Sequence, residues 1–134
     1  MQIQELLKIS KNIAIIGLSP LPSKPSFQVA SYLQTKGYKI FPIYPRGEEI
    51  LGEKVYKDLD ELQEEMDIFL IFRNGEKCYT ITQEILSSFK PKAIWLQLGI
   101  CNQEAKALAV QKGVMFVQDC CIKIEREKYE CKKV

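Results

Sequence analysis

The sequence predicts an α/β fold: a doubly wound, five-stranded and mainly parallel sheet with helices on both faces. Three observations predict it. Five short apolar runs, at residues 12–17, 39–44, 67–72, 93–96 and 114–117, are too continuous to alternate between core and solvent, which is the pattern of strands buried on both faces. Amphipathic stretches separate the runs, and strands alternating with helices make right-handed βαβ units. The length of 134 residues fits one domain, and no linker or low-complexity segment divides residues 1–134.

The elements follow in order. Ile3, Leu6, Leu7 and Ile9 stand at helical spacing, so residues 2–10 read as a short leading helix. The first strand ends at Gly17. The loop 18–26 holds three prolines that fit neither a helix interior nor a central strand. Phe27, Val29, Ala30 and Leu33 mark a helix over 27–36, capped by Ser23 or Ser26 and stopped by Gly37. The second strand closes on Pro45, Arg46 and Gly47, and residues 50–56 connect onward. Residues 59–65 read as a short acidic helix capped by Asp58 or Asp60. The third strand leads to a helix over 78–88, and the fourth, at 93–96, contains Trp95, which belongs in the core. A helix over 102–112 follows, with Asn102 as its cap, Ala105, Leu108 and Ala109 facing inward, and Gly113 after its end. After the fifth strand, residues 123–134 form a charged, frayed helix. The whole is Rossmann-like.

Composition excludes several chemistries. There is no histidine, so a Ser-His-Asp triad, a Cys-His dyad, a histidine base and a Cys2His2 zinc site are all impossible within this chain. A formal charge of +2 is too small to argue for nucleic acid. The five cysteines, Cys78, Cys101, Cys120, Cys121 and Cys131, are odd in number and lack CxxC spacing, against both a disulfide framework and a four-cysteine zinc site. With no signal-like start and no membrane-length apolar run, the expectation is a reduced, cytoplasmic protein without membrane contact. The acids crowded between Glu48 and Asp67 lack ligand spacing and read as a solvated face.

In a doubly wound sheet, ligands bind beyond the carboxyl ends of the strands, where the strand order reverses. That rule marks residues 17–26, 44–47, 72–75, 97–100 and 118–123 as the candidate site. Lys24, Arg46, Arg73 and Lys123 stand in these segments, with Asp119 as the sole acid. The first loop also leads into a helix N-terminus, where unpaired amides favour an anion. Together these suggest a ligand with several phosphates. Ordinary NAD binding is disfavoured, because the G-x-G-x-x-G loop is absent and the second strand ends in Tyr44-Pro45-Arg46 rather than an acid. A phosphorylated ribose is compatible with Arg46. The G-x-x-x-x-G-K-[ST] loop of nucleoside triphosphatases is absent as well.

From about Ile13 to Glu125 the chain resembles the small stand-alone CoA-binding proteins of the Rossmann type, whose domain is similar to the CoA-binding domain of the succinyl-CoA synthetase α subunit. The resemblance rests on Gly17-Leu-Ser-Pro-Leu-Pro-Ser-Lys-Pro-Ser26, Pro45, Glu49-Ile-Leu-Gly52 and Tyr56. Asp67-Ile, Phe72-Arg73, Ile94-Trp-Leu-Gln-Leu-Gly99, Asn102 and Glu104, and Asp119, Cys121 and Glu125 complete it. It implies binding of coenzyme A or an acyl-CoA. Gly17, Leu18 and Ser19 would wrap the ligand, with Ser23 and Lys24 near phosphate. Pro45 and Arg46 would border the adenosine or its 3′-phosphate, Phe72 and Arg73 would flank the nucleotide, and Gln97, Leu98 and Gly99 would line the pantetheine. Leu18, Trp95 or Leu98 could supply an apolar groove for that arm. Three positions depart from the pattern: Tyr44 stands for an asparagine, Asn74-Gly75 follows Arg73 where a further Arg or Ser is usual, and Cys120 replaces an arginine.

The implied function is a non-catalytic carrier, sensor or regulatory module. Two alternatives stay open. One is a redox protein in which Cys121, near the CoA thiol and with Lys123 favouring its thiolate, forms a mixed disulfide; the plainer reading of Cys121 is a small packing residue. The other is a nucleotide-dependent enzyme acting through Asp119, Tyr44 or Cys121. A homodimer or an unidentified protein partner is also left open. The larger synthetases use a phosphohistidine on a further domain. A single domain with no histidine is expected to hold the nucleotide-binding half of that machinery without the catalytic half.

Overall fold

The computed structural model describes the backbone of residues 1–133 and the side chains of residues 1–130. Strands β1 (Asn12–Ile16), β2 (Lys39–Ile43), β5 (Ile68–Ile71), β6 (Ala93–Leu96) and β7 (Met115–Val117) form one sheet in the order β2-β1-β5-β6-β7. Every pair in it is parallel. The chain runs from β1 outward to β2, then returns past β1 to β5, so the order reverses between β1 and β5. A separate antiparallel hairpin, β3 (Glu49–Ile50) with β4 (Glu53–Lys54), turns at Leu51 and Gly52. Both turn residues have positive φ, 53° and 79°, the geometry of the tight two-residue hairpin turn.

Successive strand side chains point to opposite faces, and the sheet sorts them into two cores. Ile13, Ile15, Ile40, Ile68, Leu70 and Trp95 meet α1 (Ile3–Ile9), α2 (Pro25–Thr35) and α5 (Ile122–Lys133). Ala14, Ile16, Phe41, Phe69, Ile71 and Leu96 meet α3 (Cys78–Ser88) and α4 (Gln103–Gln111). Full burial of one large apolar side chain contributes roughly 1.5–3 kcal/mol, so these two layers dominate stability. Trp95 is completely buried and donates its Nε1–H to the Cys120 carbonyl at 2.8 Å, as its strand position predicts.

Three local expectations need correction. α2 begins at Pro25 rather than Phe27, because proline at the first helical position lacks only an N–H that would be unpaired there anyway. Its N-cap is Lys24, without a side-chain cap; Ser23 lies outside, and Ser26 instead accepts the Ser19 N–H at 3.0 Å. The acidic stretch 59–65 gives only a 3₁₀ turn, Leu59–Glu61, and the Asp58 side chain makes no capping bond. Asp60/Glu64 and Glu61/Glu65 would be like-charge pairs four apart on a helix too short to nucleate well. By contrast, Asn102 caps α4 as expected, its Oδ1 accepting the Ala105 N–H at 2.8 Å. The Cys131 side chain and Val134 lie outside the described residues.

Candidate functional site

The loops after β1, β2 and β5 close around a cavity of about 670 Å³ at the reversal point. Gly17, Ser19, Leu21, Lys24, Tyr44, Lys57, Phe72 and Arg73 are among its walls. A second cavity, about 390 Å³, adjoins it across Phe72 and Arg73 and continues along Asn74, Gly75, Gly99 and Ile100.

Gly17 makes this approach of loops feasible. Its φ is +86°, and a Cβ built there would lie 2.5 Å from the Phe72 carbonyl oxygen and 3.1 Å from Arg73 Cδ. Gly17 N–H donates to the Ile43 carbonyl at 2.9 Å, and Phe72 N–H donates to the Ile16 carbonyl at 2.8 Å, so the strand ends are tied together. The proline-rich loop is ordered by its own bonds. Ser26 Oγ holds Ser19 N–H, Ser19 Oγ accepts Leu21 N–H at 3.1 Å, and Lys24 N–H reaches the Leu21 carbonyl at 3.0 Å. No side chain caps α2, and its first residues, Pro25 and Ser26, line the cavity, where a helix N-terminus favours an anion.

The second cavity is stitched by side chains. Asn102 Nδ2 donates to the Gly75 carbonyl at 2.8 Å while Gln118 Oε1 accepts Asn102 N–H at 2.9 Å. Asp119 has φ 52° and accepts Gly99 N–H at 2.8 Å. Cys78 is buried beneath this loop, its thiol directed at the Arg73 and Asn74 carbonyls, and burial pushes that thiol up from its ordinary pKa.

The expected residues divide as follows. Gly17, Ser19, Lys24, Pro45, Phe72 and Arg73 border the first cavity, and Gly99 borders the second. Leu18 is fully buried in the core and borders neither cavity, so it forms no groove wall. Gln97 is buried and its Oε1 accepts the Ile122 N–H at 3.2 Å, where it starts α5. Ser23, Arg46 and Leu98 are exposed and border neither cavity. Cys121 is half-buried and also borders neither. Lys123 Nζ sits 5.5 Å from the centre of the Tyr32 ring on α2, a cation–π contact that draws it away from the rim. The rim of Lys24, Arg46, Arg73 and Lys123 is therefore replaced by Lys24, Lys57 and Arg73, with no acid among the lining residues of either cavity.

Lys57 had no sequence signal of its own. It reaches the cavity because Tyr56 bridges to β2, with Tyr56 N–H on the Pro42 carbonyl at 2.8 Å and Tyr44 N–H on the Tyr56 carbonyl at 3.1 Å. Leu21 is a residue the proline-rich loop could have supplied: it is exposed at 54%, apolar, and on the cavity wall.

Comparison with known proteins agrees with this architecture. YneT of Bacillus subtilis, an uncharacterized protein, is 37% identical over 123 residues, covering 92% of this chain and 90% of that one. An ADP-forming acetate–CoA ligase of Archaeoglobus fulgidus is 33% identical over 109 residues, 80% of this chain but only 16% of the ligase. A solved Thermus thermophilus structure superposes with a TM-score of 0.90 at 33% identity, covering 96% of this chain and 99% of that one. A hypothetical protein of Pyrococcus horikoshii follows at 0.89 and 28%, covering 95% and 89%. The CoA binding domain family matches residues 11–127, which span every strand and all the loops around both cavities, and the chain therefore belongs to that family.

Proposed function

We propose that this protein binds coenzyme A or an acyl-CoA in the two adjoining cavities, as a carrier, sensor or regulatory module without turnover of its own. The observation that carries the reading is the charge of the site: Lys24, Lys57 and Arg73 line the walls beside an uncapped helix N-terminus, and no acid shares the lining. CoA carries roughly four negative charges near neutral pH, from a 3′-phosphate and a pyrophosphate. Charge-assisted hydrogen bonds to such groups contribute about 1.5–3 kcal/mol each. The pyrophosphate would sit at the α2 amides with Lys24, and Lys57 and Arg73 would hold the remaining phosphate charge. The pantetheine arm, which needs little beyond apolar contact, would pass Phe72 toward Gly99 and Ile100 in the second cavity.

Fit is favoured by what the site lacks as well. Tyr44 and Pro45 stand where a carboxylate would select two bare ribose hydroxyls, which favours a phosphorylated ribose over NAD. The matched ligase belongs to CoA chemistry by name, and this chain spans only a small part of it, so the ligase's catalytic activity is not carried over with the domain.

Isothermal titration with CoA, 3′-dephospho-CoA and NAD tests the reading. CoA should bind tightest, loss of the 3′-phosphate should weaken binding, and NAD should give no saturable heat. Lys24→Glu or Arg73→Glu should weaken CoA by at least about tenfold, the loss of one charged hydrogen bond. Equal or absent binding of all three ligands would reject it.

A further inference from the structure

A third cavity, about 240 Å³, opens at the opposite end of the sheet. It is bordered by Ser10, the C-cap of α1, by Tyr38 immediately before β2, by Lys8 in the last turn of α1 and Lys36 at the C-cap of α2, and by Arg126 and Tyr129 on α5. The site described above does not use it.

Two residues that border this cavity carry buried donors without a hydrogen-bond partner among the described residues. Ser10 is only 6% exposed, and among the described residues neither its Oγ nor the buried Arg126 Nη1 has a hydrogen-bond partner. Arg126 is nonetheless held rigidly. Its Nε donates to Tyr38 Oη at 3.1 Å, and Tyr38 Oη donates to the Leu7 carbonyl at 2.6 Å. Its guanidinium lies 4.6 Å from the Tyr129 ring centre and 5.8 Å from that of Tyr38. Glu130 Oε1 stands 3.3 Å from Nη1, near enough for an ion pair but not aligned for a hydrogen bond, and is 2.6 Å from Lys36 Nζ.

We propose that this cavity is an anion site that takes a small oxyanion, a phosphate group, on Ser10 Oγ and Arg126 Nη1 with Lys8 and Lys36 at its margin. The donor set is matched to that class: a hydroxyl and a guanidinium both donate to phosphate oxygens, and a buried donor without an acceptor costs free energy that a bound oxyanion would recover. Among the described residues, three cations, Lys8, Lys36 and Arg126, border the cavity, and Glu130 pairs with two of them. The carbonyl ends of α1 and α2 point the same way and oppose an anion, and Lys8 and Lys36 offset them. A fixed guanidinium loses little freedom on binding, which favours a modest but specific affinity.

The test is residue-resolved amide NMR of the full chain, titrated with inorganic phosphate against sodium chloride at matched ionic strength. A saturable shift at Ser10, Gly37 and the Arg126 Nε–H by about 10 mM phosphate, absent with chloride, is the expected result. Ser10→Ala should weaken it about fivefold without lowering the thermal midpoint. If Ser10→Ala unfolds the protein, the exposed Lys8→Gln variant replaces it and should also weaken the shift. Shifts confined to Gly17 and Ser26 would mean that phosphate uses the CoA-type site alone. Shifts reproduced by chloride, or none, would mean that ordered water satisfies Ser10 and Arg126. Any of these outcomes overturns the proposal, while CoA titration tests the reversal-point site separately.

Discussion

Gly17 shows how much of the site rests on single residues. Its φ of +86° is a conformation that side chains resist, and its missing Cβ is what lets the Phe72 carbonyl come within 2.5 Å of that position. A Gly17→Ala variant must strain the backbone, push the Phe72 loop away, or both. The expected cost is about 1–3 kcal/mol of stability, with a larger loss in CoA affinity because the displaced Phe72 and Arg73 line both cavities. Urea denaturation and CoA titration of the same sample check it; unchanged affinity at lowered stability would place Gly17 in folding alone. Gly17 was legible in the sequence because a glycine after a buried strand is a recognised signal. The Lys123 contact was not legible, because a cation's position after a strand says nothing about which ring it will rest on, and Tyr32 lies some ninety residues earlier in the chain.

At the scale of elements, strands and long helices were readable from periodicity, and the sequence–structure differences fall where competing local forces are small. The 59–65 stretch had helical composition but repelling acids and no cap. Asp67 was grouped with those acids as solvent-facing, yet it is a clamp. Its Oδ2 accepts Lys11 and Asn12 N–H at 2.8 and 2.9 Å, and its Oδ1 accepts Lys92 Nζ at 2.8 Å, joining the starts of β1, β5 and β6. Burial pushes this carboxyl up, but the Lys92 ammonium and the two backbone amides outweigh it and hold its pKa below the usual aspartate range. A carboxyl with a lowered folded-state pKa stabilises the fold above its unfolded-state pKa, near 4, and the contribution is lost as pH falls through the lower, folded value. Asp67→Asn should therefore cost about 1–2 kcal/mol at neutral pH, allowing for the partly exposed Lys92. It should also flatten the fall in stability below about pH 4. Urea midpoints from pH 7 to pH 3 measure both; a parallel acid slope in the two proteins would show that another carboxylate is responsible.

For the molecule as a whole, the alternation of strands and helices specified a doubly wound sheet but not the neighbours within it. Which strands lie beside β1 depends on pairings between distant residues, such as Ile13 with Ile40 and with Ile68, and no local pattern encodes that. The site inherits this limit: the strand-end rule marks the loops, yet only the order β2-β1-β5 brings Gly17, Lys24, Tyr44, Lys57 and Arg73 to one cavity that Arg46 and Lys123 do not border. A ligand at the reversal point joins loops from three parts of the chain that are otherwise held by a few backbone bonds, so binding should stabilise the global fold through mass action. With free CoA at about a hundred times its dissociation constant, the gain is about 2.7 kcal/mol. For a domain of this size that corresponds to a rise of about 10 °C in thermal midpoint. Hydrogen exchange should slow most in residues 17–26 and 72–75, and least at Asp67 and Ser10 at the far end of the sheet. A midpoint that rises without protection in those loops would mean that CoA stabilises the protein from a different surface, and the reversal-point assignment would fall with it.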